Sequence, residues 1–351
     1  MNIAAVSTAF PPNYYDQKTI LAALSKRWTD AGDGSSLALV KRLHRNVKVH
    51  GRHLALPIEE YDRISTWGQA NDAWIRVATD LGEEALRGAL DRAGLQAEDV
   101  DAIIFSSITG ISTPSIDAKL VNRLRLPARV KRMPLFGLGC VAGAAGLARA
   151  ADYVRAFPDQ VAVLVTVELC SLTLQSEVRS VPNFIASGLF GDGAAAAVIT
   201  GADRQARGPR ILATRSVFYP DSEDVMGWKV SEKGFGIILS ADVPNVVRRH
   251  LRADVDAFLS EQNLTRDDIR TWVCHPGGPK VLQAMQESLD LPADALAITW
   301  DSLSRVGNLS SASVLVVLEE VLREHSPPPG SHGLLLAMGP GFCSELLLLQ
   351  W

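Results

Sequence analysis

The sequence predicts an α/β fold in packed layers, made of two related halves. Strand-like and helix-like segments alternate along much of the chain, the pattern of helices covering sheets. The chain also resembles itself. Residues 93–101 and 262–270 each lead into an apolar strand, with Leu95 matching Leu264 and Asp99 matching Asp268 at an offset of 169. Its 351 residues exceed the roughly 250–300 that one core usually holds, so two packed halves are expected.

In chain order, β-branched apolar runs at 101–108, 161–167, 194–200, 271–274, 296–300 and 333–338 predict strands. Helical spacing of apolar residues covers 80–94 and stops at Gly94. The Ala-rich segment 142–157 stops before Pro158, and 244–259 and 312–324 repeat the spacing. Pro327-Pro328-Pro329-Gly330 closes the last of these. Gly139-Cys140 and Gly307-Asn308 each open a small-residue helix at an offset of 168. A glycine-x-glycine turn precedes a late strand in each half, Gly191-Asp192-Gly193 and then Gly339-Pro340-Gly341. Matched order of this kind predicts a duplicated unit divided in the polar stretch 201–209, giving domains 1–203 and 204–351. Packed about a pseudo-twofold axis, Cys140 and Asn308 become equivalents facing one pocket.

Composition narrows the function. A net charge of −4 and a pI near 6.0 give no pull toward nucleic acid. One basic stretch, 41–52, carries Arg42, Arg45, Lys48 and Arg52, and reads as a solvated helix end or a seat for a phosphorylated ligand. No run approaches the roughly 20 apolar residues of a membrane helix, and residues 1–10 show no secretory pattern. Cys140, Cys170, Cys274 and Cys343 are widely spaced without a C-x-x-C pair, so reduced thiols in a cytoplasm and no metal site are expected.

Three residues stand out chemically. Cys140 lies between Gly139 and Val141-Ala142-Gly143 at an expected helix start, where unpaired N–H groups favour a thiolate. His275 ends an apolar strand and enters Pro276-Gly277-Gly278-Pro279; beside a thiol it can take the proton and form an ion pair. Asn308 opens Asn308-Leu309-Ser310-Ser311, and its carboxamide can donate to an oxygen that becomes negative during reaction. Each also has a structural reading: a buried cysteine, a loop histidine with a structural hydrogen bond, a helix N-cap. Their joint occurrence favours chemistry.

These motifs, with Leu189-Phe190-Gly191-Asp192-Gly193 and Gly339-Pro340-Gly341-Phe342, make the chain resemble the type III polyketide synthases, the chalcone-synthase-like branch of the thiolase fold. The likeness runs over essentially the whole length. It implies a homodimer of five-layered αβαβα subunits and acyltransferase activity. Cys140 would hold an acyl group delivered by acyl-CoA, and His275 and Asn308 would stabilise the enolate left when malonyl-CoA loses CO₂. No cofactor is implied beyond the CoA thioesters that serve as substrates.

The resemblance further assigns Phe190 as gatekeeper and Ile237 as the second gate, with Phe235 close by. Cys170, Thr173, Trp228 and Ser310 become cavity positions, and Thr113 the interface residue that reaches the partner's cavity. Arg42, with Arg45 or Lys48, and Gly277 and Gly278 are the expected CoA contacts. Segments 65–71 and 224–228 are similar to bacterial alkylresorcinol and alkylpyrone synthases, which implies a long-chain fatty acyl starter. An acyl carrier protein is a further possible donor. The alternatives are a single-condensation ketoacyl synthase and a non-catalytic acyl-binding protein of the same fold.

Overall fold

Strands that are apolar along their whole length need cover on both faces. In Val161–Leu169 no residue is exposed, and its side chains divide by parity: Val161, Val163, Val165 and Val167 enter one core, Ala162 and Leu164 another. That alternation places a sheet between two helical layers.

The computed structural model describes residues 1–30, 37–175, 177–205, 207–325 and 327–351. The strands are β1 (Asn2–Ala9), β2 (Asn13–Asp16), β3 (Gly51–Leu54), β4 (Ala102–Ser106), β5 (Lys131–Leu135), β6 (Val161–Leu169), β7 (Asp192–Thr200), β8 (Arg210–Phe218), β9 (Met226–Ser231), β10 (Gly234–Leu239), β11 (Ile269–Cys274), β12 (His332–Gly339) and β13 (Cys343–Gln350). The helices are α1 (Gln17–Asp30), α2 (Leu37–Asn46), α3 (Trp67–Ala93), α4 (Ile116–Leu124), α5 (Ala142–Ala156), α6 (Val181–Leu189), α7 (Val243–Ser260), α8 (Pro279–Leu289), α9 (Ala297–Val306) and α10 (Ser313–Glu320).

Nine strands form one sheet in the order β11-β12-β13-β8-β1-β7-β6-β4-β5. The β1–β8 joint is a single residue pair, Asn2 with Arg210, so the sheet is two half-sheets meeting edge to edge. Each half runs antiparallel, antiparallel, parallel from that joint: β1-β7-β6-β4 in one and β8-β13-β12-β11 in the other. Helices α5 and α10 pack against strands of both half-sheets. Helices α3 and α4 cover the outer face of the first, and α7 and α8 that of the second. The result is the five-layered αβαβα order.

The internal repeat is visible in local structure. A three-residue 3₁₀ turn at Ala97–Asp99 has a capping box between Gln96 and Asp99; the turn at Arg266–Asp268 has one between Thr265 and Asp268. Each feeds a parallel strand of its half, β4 in one and β11 in the other. The turns before α5 and α10, Gly139–Val141 and Ser310–Ala312, also correspond, but at an offset of 171. Cys140 therefore matches Ser311, and Asn308 sits ahead of its turn rather than at a helix start.

Residues 296–300 do not form the expected strand. Their window extends into α9, whose buried Thr299, Ser302, Leu303 and Val306 keep a helical period that five residues cannot display. Helix α3 starts earlier than residue 80, at Trp67, fixed by a capping box between Thr66 and Gln69, and ends at Gly94 in the left-handed region. Helix α10 passes at Val321 into a wider π turn.

Candidate active site

The chamber forms where the turns before α5 and α10 touch back to back. Gly139 has φ +55, and a side chain there would meet Pro340 at 2.7 Å. A Cβ on Gly143 would lie 2.3 Å from the Ser311 carbonyl. This contact sets the Cys140 thiol, 6% exposed, against Ser310, whose hydroxyl it meets at 3.6 Å. Ser310 holds φ +48, a left-handed conformation uncommon for a residue with a side chain. Its N–H donates to Asn308 Oδ1 at 2.8 Å, and the Ser313 hydroxyl donates to the same oxygen at 3.5 Å. With Oδ1 engaged, Asn308 Nδ2 turns toward the chamber, where its partner is the Gly277 carbonyl at 3.4 Å.

Cys140, His275, Asn308 and Gly277 line one cavity walled by Leu189, Phe190 and other apolar side chains. His275 is 3% exposed, and neither ring nitrogen has a hydrogen-bond partner. A buried imidazole with both nitrogens unspent is a costly arrangement unless a ligand uses them. Burial pushes His275 down to about 3 and the Cys140 thiol up to about 12, with Ser310 opposing the latter. Desolvation thus opposes both halves of the thiolate–imidazolium pair that the sequence suggests, and the thiol meets the Ser310 hydroxyl.

A second recess, about 410 Å³, also contains Cys140 and is walled by Cys170, Phe190, Trp228, Ile237 and Ser310. Beyond it lies a third of about 740 Å³, open to solvent, lined by Ile20, Leu24, Leu54, Ile58 and Leu174. Cys170, Phe190, Trp228 and Ile237 face both, so they stand at the junction. Phe235 and Thr173 line only the outer recess, and Ile237 is the member of the hairpin pair nearer the chemistry.

Other expected positions lie elsewhere. Thr113 is exposed on the loop before α4 and lines none of these recesses. Gly278 is buried at φ +134 before α8 and lines none of these recesses, whereas Gly277 lines the first. Arg45 and Lys48 line an open surface recess with Lys18 and Lys41, while Arg42 is exposed on α2 outside it. Among the described residues no carboxylate pairs with Arg42, Arg45 or Lys48. Arg52 leaves the basic group altogether, being 2% exposed.

Glu168 was not singled out by the sequence reading. It is fully buried on β6 and accepts from the Ser311 hydroxyl at 2.5 Å, Thr109 at 2.9 Å, and Ser107 and the Ile108 N–H at 3.2 Å. Burial raises it to about 7, against these hydrogen bonds. Its signal was available: one acid in the apolar run Val161–Leu169.

A duplicated αβαβα fold with a buried cysteine, histidine and asparagine in one chamber defines an acyl-transferring condensing enzyme of the thiolase fold. Residues 1–204 match the N-terminal domain of chalcone and stilbene synthases and residues 210–351 the C-terminal domain. The chain belongs to this family, the type III polyketide synthases. It is 52% identical over its whole length to a 1,3,6,8-tetrahydroxynaphthalene synthase of Streptomyces peucetius subsp. caesius, of which it covers 93%. It is 35% identical to a phloroglucinol synthase of Pseudomonas fluorescens, over 91% of each chain. The crystal structure of the 1,3,6,8-tetrahydroxynaphthalene synthase of Streptomyces coelicolor superposes with a TM-score of 0.95, at 32% identity, covering 100% of this chain and 99% of that one. Among the described residues no helix is long and apolar enough to cross a membrane.

Proposed function

We propose that this polyketide synthase condenses malonyl-CoA repeatedly onto an acyl group carried by Cys140, and that the chain closes to a compact polyhydroxylated aromatic of the tetrahydroxynaphthalene kind. The observation that carries the reading is the chamber lined together by Cys140, by His275 with both ring nitrogens unspent, and by Asn308. Similarity over the full chain to two synthases of that naphthalene supports the product class.

The thiol first gives its proton to His275 as the starter thioester arrives. Cys140 Sγ attacks the carbonyl, the bond between the acyl carbon and the CoA sulfur breaks, and His275 returns the proton to the departing CoA thiolate. Malonyl-CoA then places its thioester oxygen between His275 and Asn308 Nδ2. The bond to its carboxylate breaks, CO₂ departs, and the electron pair becomes an enolate held by the two donors. The enolate carbon attacks the acyl-cysteine, Sγ leaves, and the lengthened chain is carried on CoA until it is reloaded. Phe190 keeps water from the carboxylate side, where an apolar wall favours loss of charge. Arg45 and Lys48, with Arg42, suit the phosphates of CoA. The working unit is taken as a cytoplasmic homodimer of chains divided at 203/204, with Thr113 at the interface.

A long-chain acyl starter is the second reading, favoured by the aliphatic outer recess that meets the chamber at Cys170, Trp228 and Ile237. Segment 65–71, which suggested such a starter, is the capping box of α3, although its Trp67 packs edge-on against Phe235. Incubation with malonyl-CoA alone separates the two. A ten-carbon aromatic formed without added starter supports the first reading; no product until a fatty acyl-CoA or acyl carrier thioester is added sinks it in favour of the second. Release after one condensation would sink both.

A further inference from the structure

A guanidinium withdrawn from water is costly unless its donors are met. Arg52, at 2% exposure, engages its two terminal nitrogens with two backbone carbonyls and the Gln17 side chain, while Nε has no partner among the described residues. Nη1 donates to the Phe190 carbonyl at 2.7 Å, and Nη2 to the Ser187 carbonyl at 2.8 Å and to Gln17 Oε1 at 3.1 Å. Gln17 Nε2 in turn donates to the Gly188 carbonyl at 2.8 Å. These carbonyls belong to the last turn of α6, where helix geometry leaves acceptors unpaired and the helix end is negative. Asp192, the acid that acts on Arg52 electrostatically, spends its oxygens on the Ala55 and Ser171 N–H groups and the Ser171 hydroxyl.

The stem of Arg52 touches the other side of the same junction. A Cβ on Gly307, which has φ +75, would meet Arg52 Cδ at 3.1 Å and the Leu189 carbonyl at 2.7 Å. One on Gly191 would meet Arg52 Cβ at 3.5 Å. Here the end of α6 pairs with the Asn308 segment: Asn308 N–H donates to the Leu189 carbonyl and Gly191 N–H to the Asn308 carbonyl, both at 2.9 Å. Arg52 thus grips both strands of the bridge that sets Phe190 and Asn308.

We propose that Arg52, braced by Gln17, is a positioning residue for the decarboxylating half of the reaction, holding Asn308 and Phe190 in register without touching substrate. This rests on the role given to Asn308 above. Cys140 hangs from the turn before α5, outside the bridge, and meets the Asn308 segment through its 3.6 Å contact with Ser310, so its acylation should depend on Arg52 less than decarboxylation does.

The test compares two rates in each variant: acylation of Cys140 by an acyl-CoA, read by intact mass, and release of CO₂ from malonyl-CoA. Small misplacement of a reacting group can cost about a hundredfold. For Arg52→Met, decarboxylation is expected to fall at least about tenfold while acylation stays within about threefold. Arg52→Lys should recover part of the loss, and Gln17→Leu should show a smaller shift of the same kind. If Arg52→Met does not fold, Arg52→Lys and Gln17→Leu decide: a lowered ratio of decarboxylation to acylation in both supports the proposal. An unchanged ratio, or equal loss of both rates, overturns it. Asn308→Ala run alongside separates the failures. If that variant still decarboxylates at full rate, the reading of Asn308 falls; if it is impaired and the Arg52 and Gln17 variants are not, only the present inference falls.

Discussion

Asn308→Ala is the sharpest probe of the chamber. The substitution removes one of the two donors aimed at the thioester oxygen. Asn308 Nδ2 now has only the Gly277 carbonyl at 3.4 Å, so it gives up little when it turns to the forming enolate. Losing one such donor typically costs about 3–4 kcal/mol, a hundred- to a thousandfold in rate. The same change strips the Ser310 N–H of its acceptor in a site only 3% exposed, which should lower stability by about 1–3 kcal/mol. Release of labelled CO₂ from malonyl-CoA measures the first effect, a denaturant midpoint the second, and intact mass reports acylation of Cys140. We expect decarboxylation to fall at least a hundredfold with acylation within about threefold. Decarboxylation reduced less than about tenfold would refute the assignment of Asn308 as an enolate donor.

Further expectations follow from other parts of the molecule. Glu168 is raised from 4.5 to about 7, so the folded state favours its protonated form, and the cost of ionising it grows as pH rises through that window. It reaches about 3 kcal/mol above pH 7, and Glu168→Gln should therefore gain melting temperature relative to the parent at pH 8 but not at pH 4.5; a difference independent of pH removes the argument. Trp228→Gly opens the junction between the inner and outer recesses, so competition between short and long acyl-CoAs should shift toward long chains, and an unaltered product ratio counts against the junction. Replacing Arg45 and Lys48 together by alanine should raise KM for malonyl-CoA several-fold, with a weaker salt dependence; an unmoved KM places the CoA phosphates elsewhere.

Much of the frame was legible in the sequence because burial on both faces leaves a plain trace. The long apolar run that opens β6 and the alanine and glycine of α5 admit few other placements. The pairs Leu95 with Leu264 and Asp99 with Asp268 marked the repeat, and both aspartates prove to close capping boxes. Residues 296–300 misled because a strand and a buried helix look alike over five positions. Arg52 misled because composition sees charge but not depth: it follows Arg42, Arg45 and Lys48 in sequence yet points into the α6 end. The proposed catalytic set was recognisable as residue types, but the dryness that bears on its charge state was not. Whether Cys140 rests as thiol or thiolate depends on how dry the chamber is, a property of all its walls at once.

The strands β9 and β10 form a two-stranded ribbon of their own, apart from the nine-stranded sheet, and still supply Met226, Trp228, Ile237 and Leu239 to the chamber walls. The reacting groups hang instead from turns rooted in the main sheet and its central helices. Reagent and mould are therefore carried on separable pieces of the molecule. A lineage can recast the mould by drifting in a short ribbon while the nine-stranded sheet and the reagent stay under unchanged selection, a route by which one scaffold comes to yield many products.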